Sequence, residues 1–138
     1  MEGSVTGTES LTEQNRAVIE ALYAAAKAGD AQAMFAHFAD DIVVHEPPFL
    51  PFGKVYRGKE EFLQLFAVIV EYLDVSQVTV HHIVADGEYV IGCLGMPDRR
   101  TGDFTEMLEQ FKLRDGKVVD IKLFYYDAGT MTDLPKAV

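Results

Sequence analysis

Between residues 11 and 29 the apolar side chains Val18, Ile19, Leu22, Tyr23 and Ala26 recur three and four apart, the spacing of an amphipathic helix. Ser10 and Glu13 stand where a capping box would start it, and Gly29 where a helix commonly stops. Asp30 can cap a second, short helix carrying Met34, Phe35 and Phe38, so the first forty residues read as a helical hairpin. Residues 42–46 have strand composition and are halted by Pro47 and Pro48, which cannot donate ladder hydrogen bonds. After a loop ending near Gly58, the set Phe62, Leu65, Phe66, Ile69 and Leu73 marks one face of a third helix over 59–73.

The second half changes period. Residues 75–85, 89–96, 104–114 and 117–126 are rich in β-branched and aromatic side chains and predict four more strands. Asp86-Gly87 and Asp115-Gly116 are tight-hairpin dipeptides, and a longer connection spans 97–103, so neighbouring strands are expected to run antiparallel. No internal repeat or linker divides the chain, so helices and strands must share one core. The expectation is a single α+β domain over 11–138, order ααβαββββ, after a disordered polar tail at 1–10.

Composition narrows the function classes. At 138 residues the chain can bury a core without metals or disulfides. Its 22 acidic residues against 12 basic ones give a net charge of −10, which repels nucleic acid and anionic membranes. No apolar run is long enough to span a bilayer, and the first residues lack the basic and apolar regions of an export signal. Cys93 stands alone between apolar neighbours, as in a reducing compartment, and the cytoplasm is the expected location.

Parity along the last two strands supplies the candidate chemistry. Met107, Phe111 and Leu113 share a face, and Glu109 falls among them; Val119, Ile121, Leu123 and Tyr125 line one face of the final strand. A carboxyl on a core-facing position lines a cavity, makes a structural hydrogen bond, or is turned outward by a bulge. Glu46 ends its strand on the parity of Ile42 and Val44, where it could reach a cavity mouth, or be solvated or salt-bridged. Two carboxyls in such a place can divide labour, one ionised as base and the drier one protonated as donor. Phe124 and Leu108 fall on the opposite face, which is therefore partly apolar and suits a partner subunit.

Other candidates are weaker. Adjacent His81 and His82 point to opposite faces unless a bulge intervenes, His45 opposes Glu46, and His37 has no evident partner, so no metal site is expected. Cys93 lacks a basic partner, Arg99-Arg100 looks like a solvated hairpin tip, and no glycine motif cradles phosphate.

Three stretches carry a family resemblance: Ala28-Gly29-Asp30; Phe38-Ala39-Asp40-Asp41-Ile42-Val43-Val44-His45-Glu46-Pro47; and Tyr56-Arg57-Gly58-Lys59-Glu60-Glu61-Phe62. With the final hairpin from Phe111 to Val118, their joint order resembles the ketosteroid-isomerase-like, or nuclear-transport-factor-2-like, superfamily over residues 12–127. Leu50 to Tyr56 is similar to the loop of its SnoaL-like branch, which contains polyketide cyclases. The resemblance implies a curved antiparallel sheet wrapped around the helices as a cone-shaped barrel. It also implies a homodimer joined through the outer face of the sheet, and an apolar pocket for a small hydrophobic ligand. Glu46 falls on the isomerase's proton-abstracting acid and Glu109 on its protonated hydrogen-bond donor. The isomerase's oxyanion tyrosine falls on Ala21 and two supporting tyrosines on Phe38 and Phe66, so its hydroxyl network is not retained, which argues against steroid isomerisation itself. Ala21 and Ala25 would leave cavity space, walled by Phe38, Val44, Leu65, Phe66, Met107, Phe111, Leu123 and Tyr125. The activity implied is acid–base chemistry of isomerase, cyclase or lyase type on a hydrophobic carbonyl or polyketide-like substrate, with no cofactor; the other reading is a non-catalytic binding or dimerisation module.

Overall fold

The computed structural model describes residues 7–127, with side chains from Ser10 onward. Helix α1 runs Gly7–Lys27, α2 Ala31–Phe35 and α3 Gly58–Tyr72. The strands are β1 Phe38–His45, β2 Val55–Arg57, β3 Thr79–Asp86, β4 Tyr89–Pro97, β5 Phe104–Arg114 and β6 Lys117–Tyr125, with one 3-10 turn, Val75–Gln77, before β3. They form one open six-stranded sheet in the order β2-β1-β6-β5-β4-β3.

Several expectations about boundaries shift for identifiable reasons. Ser10 lies inside α1 rather than capping it, and Gly7–Ser10, expected in the tail, are helical; residues 1–6 and 128–138 lie outside the described part. Asp30 does cap α2, its carboxylate accepting from the Ala33 amide at 3.0 Å. Phe38 leaves α2 and opens β1, where its buried ring packs edge-on against Phe35. The short β2 has too few residues to show a period, and exists because it pairs antiparallel with β1 at Val43, Val44 and His45. The sheet is mixed: β1 runs parallel to β6, with Val44 opposite Ile121, while the other neighbouring pairs are antiparallel. Hairpin chemistry holds at Asp115-Gly116, where both residues have positive φ, 53° and 76°, as a mirror-image tight turn requires.

The register between β5 and β6 slips between Lys112 and Leu113, and the bulge sends Val118 into the core while Val119 is only partly covered. A second slip falls between Val80 and His82, at His81; both histidines are exposed. The Arg99-Arg100 tip is tied down, Arg99 Nε donating to the Val70 carbonyl at 2.6 Å and Arg100 pairing with Asp98 at 3.0 Å. Among the described residues no helix is long and apolar enough to cross a membrane.

Helix α1 packs against β3 and β4, and α3 against β1 and β2, leaving the core between them and the inner face of the sheet. Polar bonds set the rotation of α1. Thr12 Oγ1 accepts from the Gly87 amide, Asn15 Nδ2 donates to the Gly87 carbonyl and Arg16 Nη1 to the Ile83 carbonyl, each at 2.8 Å. Thr12, Asn15, Ile19, Tyr23 and Ala26 lie along one helical stripe, so fixing its start on the β3–β4 turn also fixes which residues face the sheet.

The segment between β1 and β2 folds back through Leu50 and Phe52, both buried, and the Tyr56 hydroxyl donates to the Phe52 carbonyl at 2.6 Å. A Cβ on Gly53 would lie 2.8 Å from the Pro47 carbonyl carbon, and that neighbour is backbone that cannot rotate away. We predict that Gly53→Ala lowers stability to urea by about 2 kcal/mol; a loss within about 0.5 kcal/mol, as for an ordinary surface change, would show that the loop relocates freely.

Candidate functional site

Between the helices and the inner sheet face the side chains do not fill the interior. A cavity of about 80 Å³ remains, with Glu46 and Glu109 both in its wall. It has room for a handful of waters and lies well below the roughly 300–1,000 Å³ of pockets that enclose drug-sized ligands. The rest of the wall is almost entirely apolar, with Met34, Phe66, Ile69 and Leu73 from the helical side and Leu94, Phe111 and Ile121 from the sheet among its members.

Glu46 follows β1 directly, on the parity of Ile42 and Val44, and is 4% exposed. The Tyr125 hydroxyl at the end of β6 donates to Glu46 Oε1 at 3.2 Å, and Oε2 is buried with no hydrogen-bond partner. The parallel β1–β6 pairing is what brings these two residues together, since His45 aligns with Lys122. Burial raises the Glu46 pKa to about 8, opposed by the Tyr125 bond and assisted by the charge of Glu109.

Glu109 sits mid-β5 between Leu123 on β6 and Gly92 on β4. The Tyr23 hydroxyl, reaching across from α1, donates to Glu109 Oε1 at 2.7 Å. Burial raises this carboxyl to about 7, opposed by the Tyr23 bond, which favours its ionised form. Both tyrosine hydroxyls are themselves pushed well above their ordinary range, first by burial and then by the carboxylates, so they remain protonated donors. Two acids and two phenols thus share one largely apolar chamber, and the titration of the two acids is brought into the neutral range.

Of the residues expected in the wall, Phe38, Val44, Leu65, Phe66, Phe111, Leu123 and Tyr125 line the cavity. Ala21, Ala25 and Met107 do not. Ala21 is exposed and Ala25 partly covered, because the buried stripe of α1 runs through Ile19, Leu22, Tyr23 and Ala26. Met107 is buried in the core further along β5, opposite Leu94 and Tyr125, which form the wall in its place. The resemblance put the isomerase's oxyanion tyrosine at Ala21 and so left no hydroxyl on this helix, whereas Tyr23 supplies one. Two helical positions are about 200° apart, so only one of residues 21 and 23 can face the sheet, and it is the tyrosine. Tyr23 belongs to the apolar stripe of α1, while Ala21, the position the resemblance implies, lies on the opposite side of the helix.

His45, on the outer face, pairs with Asp120 at 2.8 Å. Among the described residues no cluster of three or more His, Cys, Asp or Glu side chains could hold a metal ion.

Both carboxyls hold a proton more tightly folded than unfolded, so above about pH 4.5 the native chain binds more protons than the unfolded one. Their stabilisation is complete below that pH and is lost as pH rises through about 7 for Glu109 and about 8 for Glu46. Urea unfolding of Glu46→Gln should show a variant that gains on the wild type from pH 5 to pH 9, by on the order of several kcal/mol. Parallel pH dependences would contradict the assignment.

No curated protein sequence matches the chain significantly. Among solved structures, Bal32a from a soil-derived mobile gene cassette is 22% identical over 84% of this chain and 92% of its own, with a TM-score of 0.73. A protein described as a candidate ketosteroid isomerase from Kribbella flavida is 19% identical over 89% and 84%, TM-score 0.73. An NTF2-like protein of unknown function from Burkholderia pseudomallei is 15% identical over 90% and 98%, TM-score 0.74. At these identities the likeness establishes the fold, an NTF2-like α+β cone with an unclosed sheet. Residues 19–121, well over half of the chain, match the SnoaL-like domain, and the chain belongs to that family.

Proposed function

We propose that this chain is an acid–base enzyme of isomerase, cyclase or lyase type, acting without a cofactor on a small hydrophobic carbonyl compound. The observation that carries this reading is the pair of buried carboxyls, each with its own tyrosine donor, in the wall of one apolar cavity. Glu46 Oε2 is the carboxyl oxygen with unused capacity, which suits it to take a proton from the carbon next to a carbonyl. The electron pair of that C–H bond moves to the carbonyl oxygen, and protonated Glu109 donates a hydrogen bond to the resulting enolate. Glu46 then returns the proton to a different carbon, or the enolate carbon attacks a second carbonyl of the same substrate, whose π electrons move to its oxygen, and that oxygen takes the proton from Glu46. Chemistry of this kind needs one proton shared by the pair; burial raises both groups toward neutrality, and because Glu46, at about 8, holds its proton more tightly than Glu109, at about 7, the reactive form is the minor one, in which that proton has passed from Glu46 to Glu109.

The cavity favours a substrate of few heavy atoms; a polyketide-sized one requires wall side chains such as Met34 and Phe66 to move. The small volume also supports a second reading, a non-catalytic module that binds a small apolar ligand.

A homodimer through the outer sheet face belongs to the same proposal. Leu108 and Phe124, opposite one another on β5 and β6, are exposed there with Phe104 and Tyr126 nearby, and Leu108 aligns with half-buried Cys93 on β4. We place the protein in the cytoplasm on its free cysteine and acidic charge.

Deuterium exchange at the α-carbon of small ketones such as cyclohexenone, followed by NMR, tests the chemistry. Glu46→Gln or Glu109→Gln should each slow exchange by about two to three orders of magnitude, and the wild-type rate should peak between about pH 7 and 8. Unchanged exchange with ligand binding retained would leave the binding module. For the assembly, sedimentation should show a dimer that Leu108→Asp with Phe124→Asp converts to monomer; a monomeric wild type at high concentration would refute it.

A further inference from the structure

We infer that Gly92 is a positioning residue of the site: the side chain missing at this point of β4 makes the seat for the Tyr23 hydroxyl and so keeps Tyr23 on Glu109. Gly92 lies mid-strand, paired with Ile83 on β3 and with Glu109 itself on β5. Its backbone is not left-handed, so its conformation does not call for glycine. A glycine in a strand interior weakens the strand, and often marks a close approach by another group. That group is Tyr23. A Cβ on residue 92 would lie 2.8 Å from its Cζ and 3.0 Å from its Cε2, and closer still to the hydroxyl oxygen.

The notch is one residue wide. Val90 and Leu94, the neighbouring inner-face positions of β4, carry buried side chains. Nor can the ring sidestep freely, because Phe111 meets it edge-on at 6.0 Å between centroids and α1 is bonded to the β3–β4 turn. With a methyl group in the notch, Tyr23 must swing away and Glu109 loses the donor that favours its ionised form. The catalytic meaning of this arrangement rests on the acid–base reading, whereas the geometry does not.

The test is a carbon-detected NMR titration of the Glu109 carboxyl in the full chain, comparing wild type, Gly92→Ala, Tyr23→Phe and the double variant. Expected are displacements to higher pH that match in the two single variants and grow no further in the double. Thermal stability lost by Gly92→Ala should return in part with Tyr23→Phe, which removes the closest atom. Should Gly92→Ala alone not fold, recovery of the fold in the double variant carries the same conclusion, and no recovery refutes it. A Glu109 titration untouched by Gly92→Ala, or displacements that add in the double variant, would overturn the inference. If instead the titrations behave as expected while ketone exchange ignores both carboxyls, the positioning stands and the acid–base reading falls.

Discussion

Taking a carboxylate out of water costs more than almost any other side-chain burial, and this fold does it twice in the wall of one small chamber. The surroundings are arranged around that cost. Each acid receives one phenolic donor from a different part of the chain, Tyr23 from α1 and Tyr125 from the end of β6. A single neutral donor offsets part of the desolvation and no more, which is why both acids titrate near neutrality instead of near their solution values. A full set of donors or an arginine would have left them ordinary ionised carboxylates, and a chamber with no donor would have pushed both further up.

Much of this was legible in the sequence, because the periods of the apolar residues are strong. The stripe of α1 marked its buried side, the alternation on β5 put Glu109 on the apolar parity while leaving a bulge outward open, and the two prolines after Glu46 marked the end of its strand. Less accessible were features that depend on pairing between distant segments. Three residues of β2 show no period of their own, and the bulge that trades Val119 for Val118 arises from a register slip between β5 and β6. The helical phase that selects Tyr23 over Ala21 is set by the contacts of Thr12, Asn15 and Arg16 with β3 and its turn, which a residue-by-residue likeness to other proteins does not weigh.

The two faces of the sheet are put to different use by the same alternation. Along β5, Glu109 and Phe111 turn inward to the chamber while Leu108 turns outward to solvent, and along β6 Tyr125 does the same opposite Phe124. A substitution on the outer row therefore sits one residue from a carboxyl or phenol on the inner row, on the same stretch of backbone.

The parallel junction of β1 with β6 bears on how the protein is made. β2 can pair with β1 early, since a short loop joins them, but β6 is about the last part of the domain to leave the ribosome. Until it docks, the Glu46 side chain lacks both its cover and its phenol, and in water it behaves as a common ionised glutamate. The nascent chain thus carries a soluble, charged β1 edge through most of synthesis, and that negative charge discourages the strand from joining a neighbour of its own kind. Only when β6 joins β1 to the rest of the sheet does the acid gain the surroundings that hold its proton, so union of the two parts of the sheet and completion of the chamber are one event.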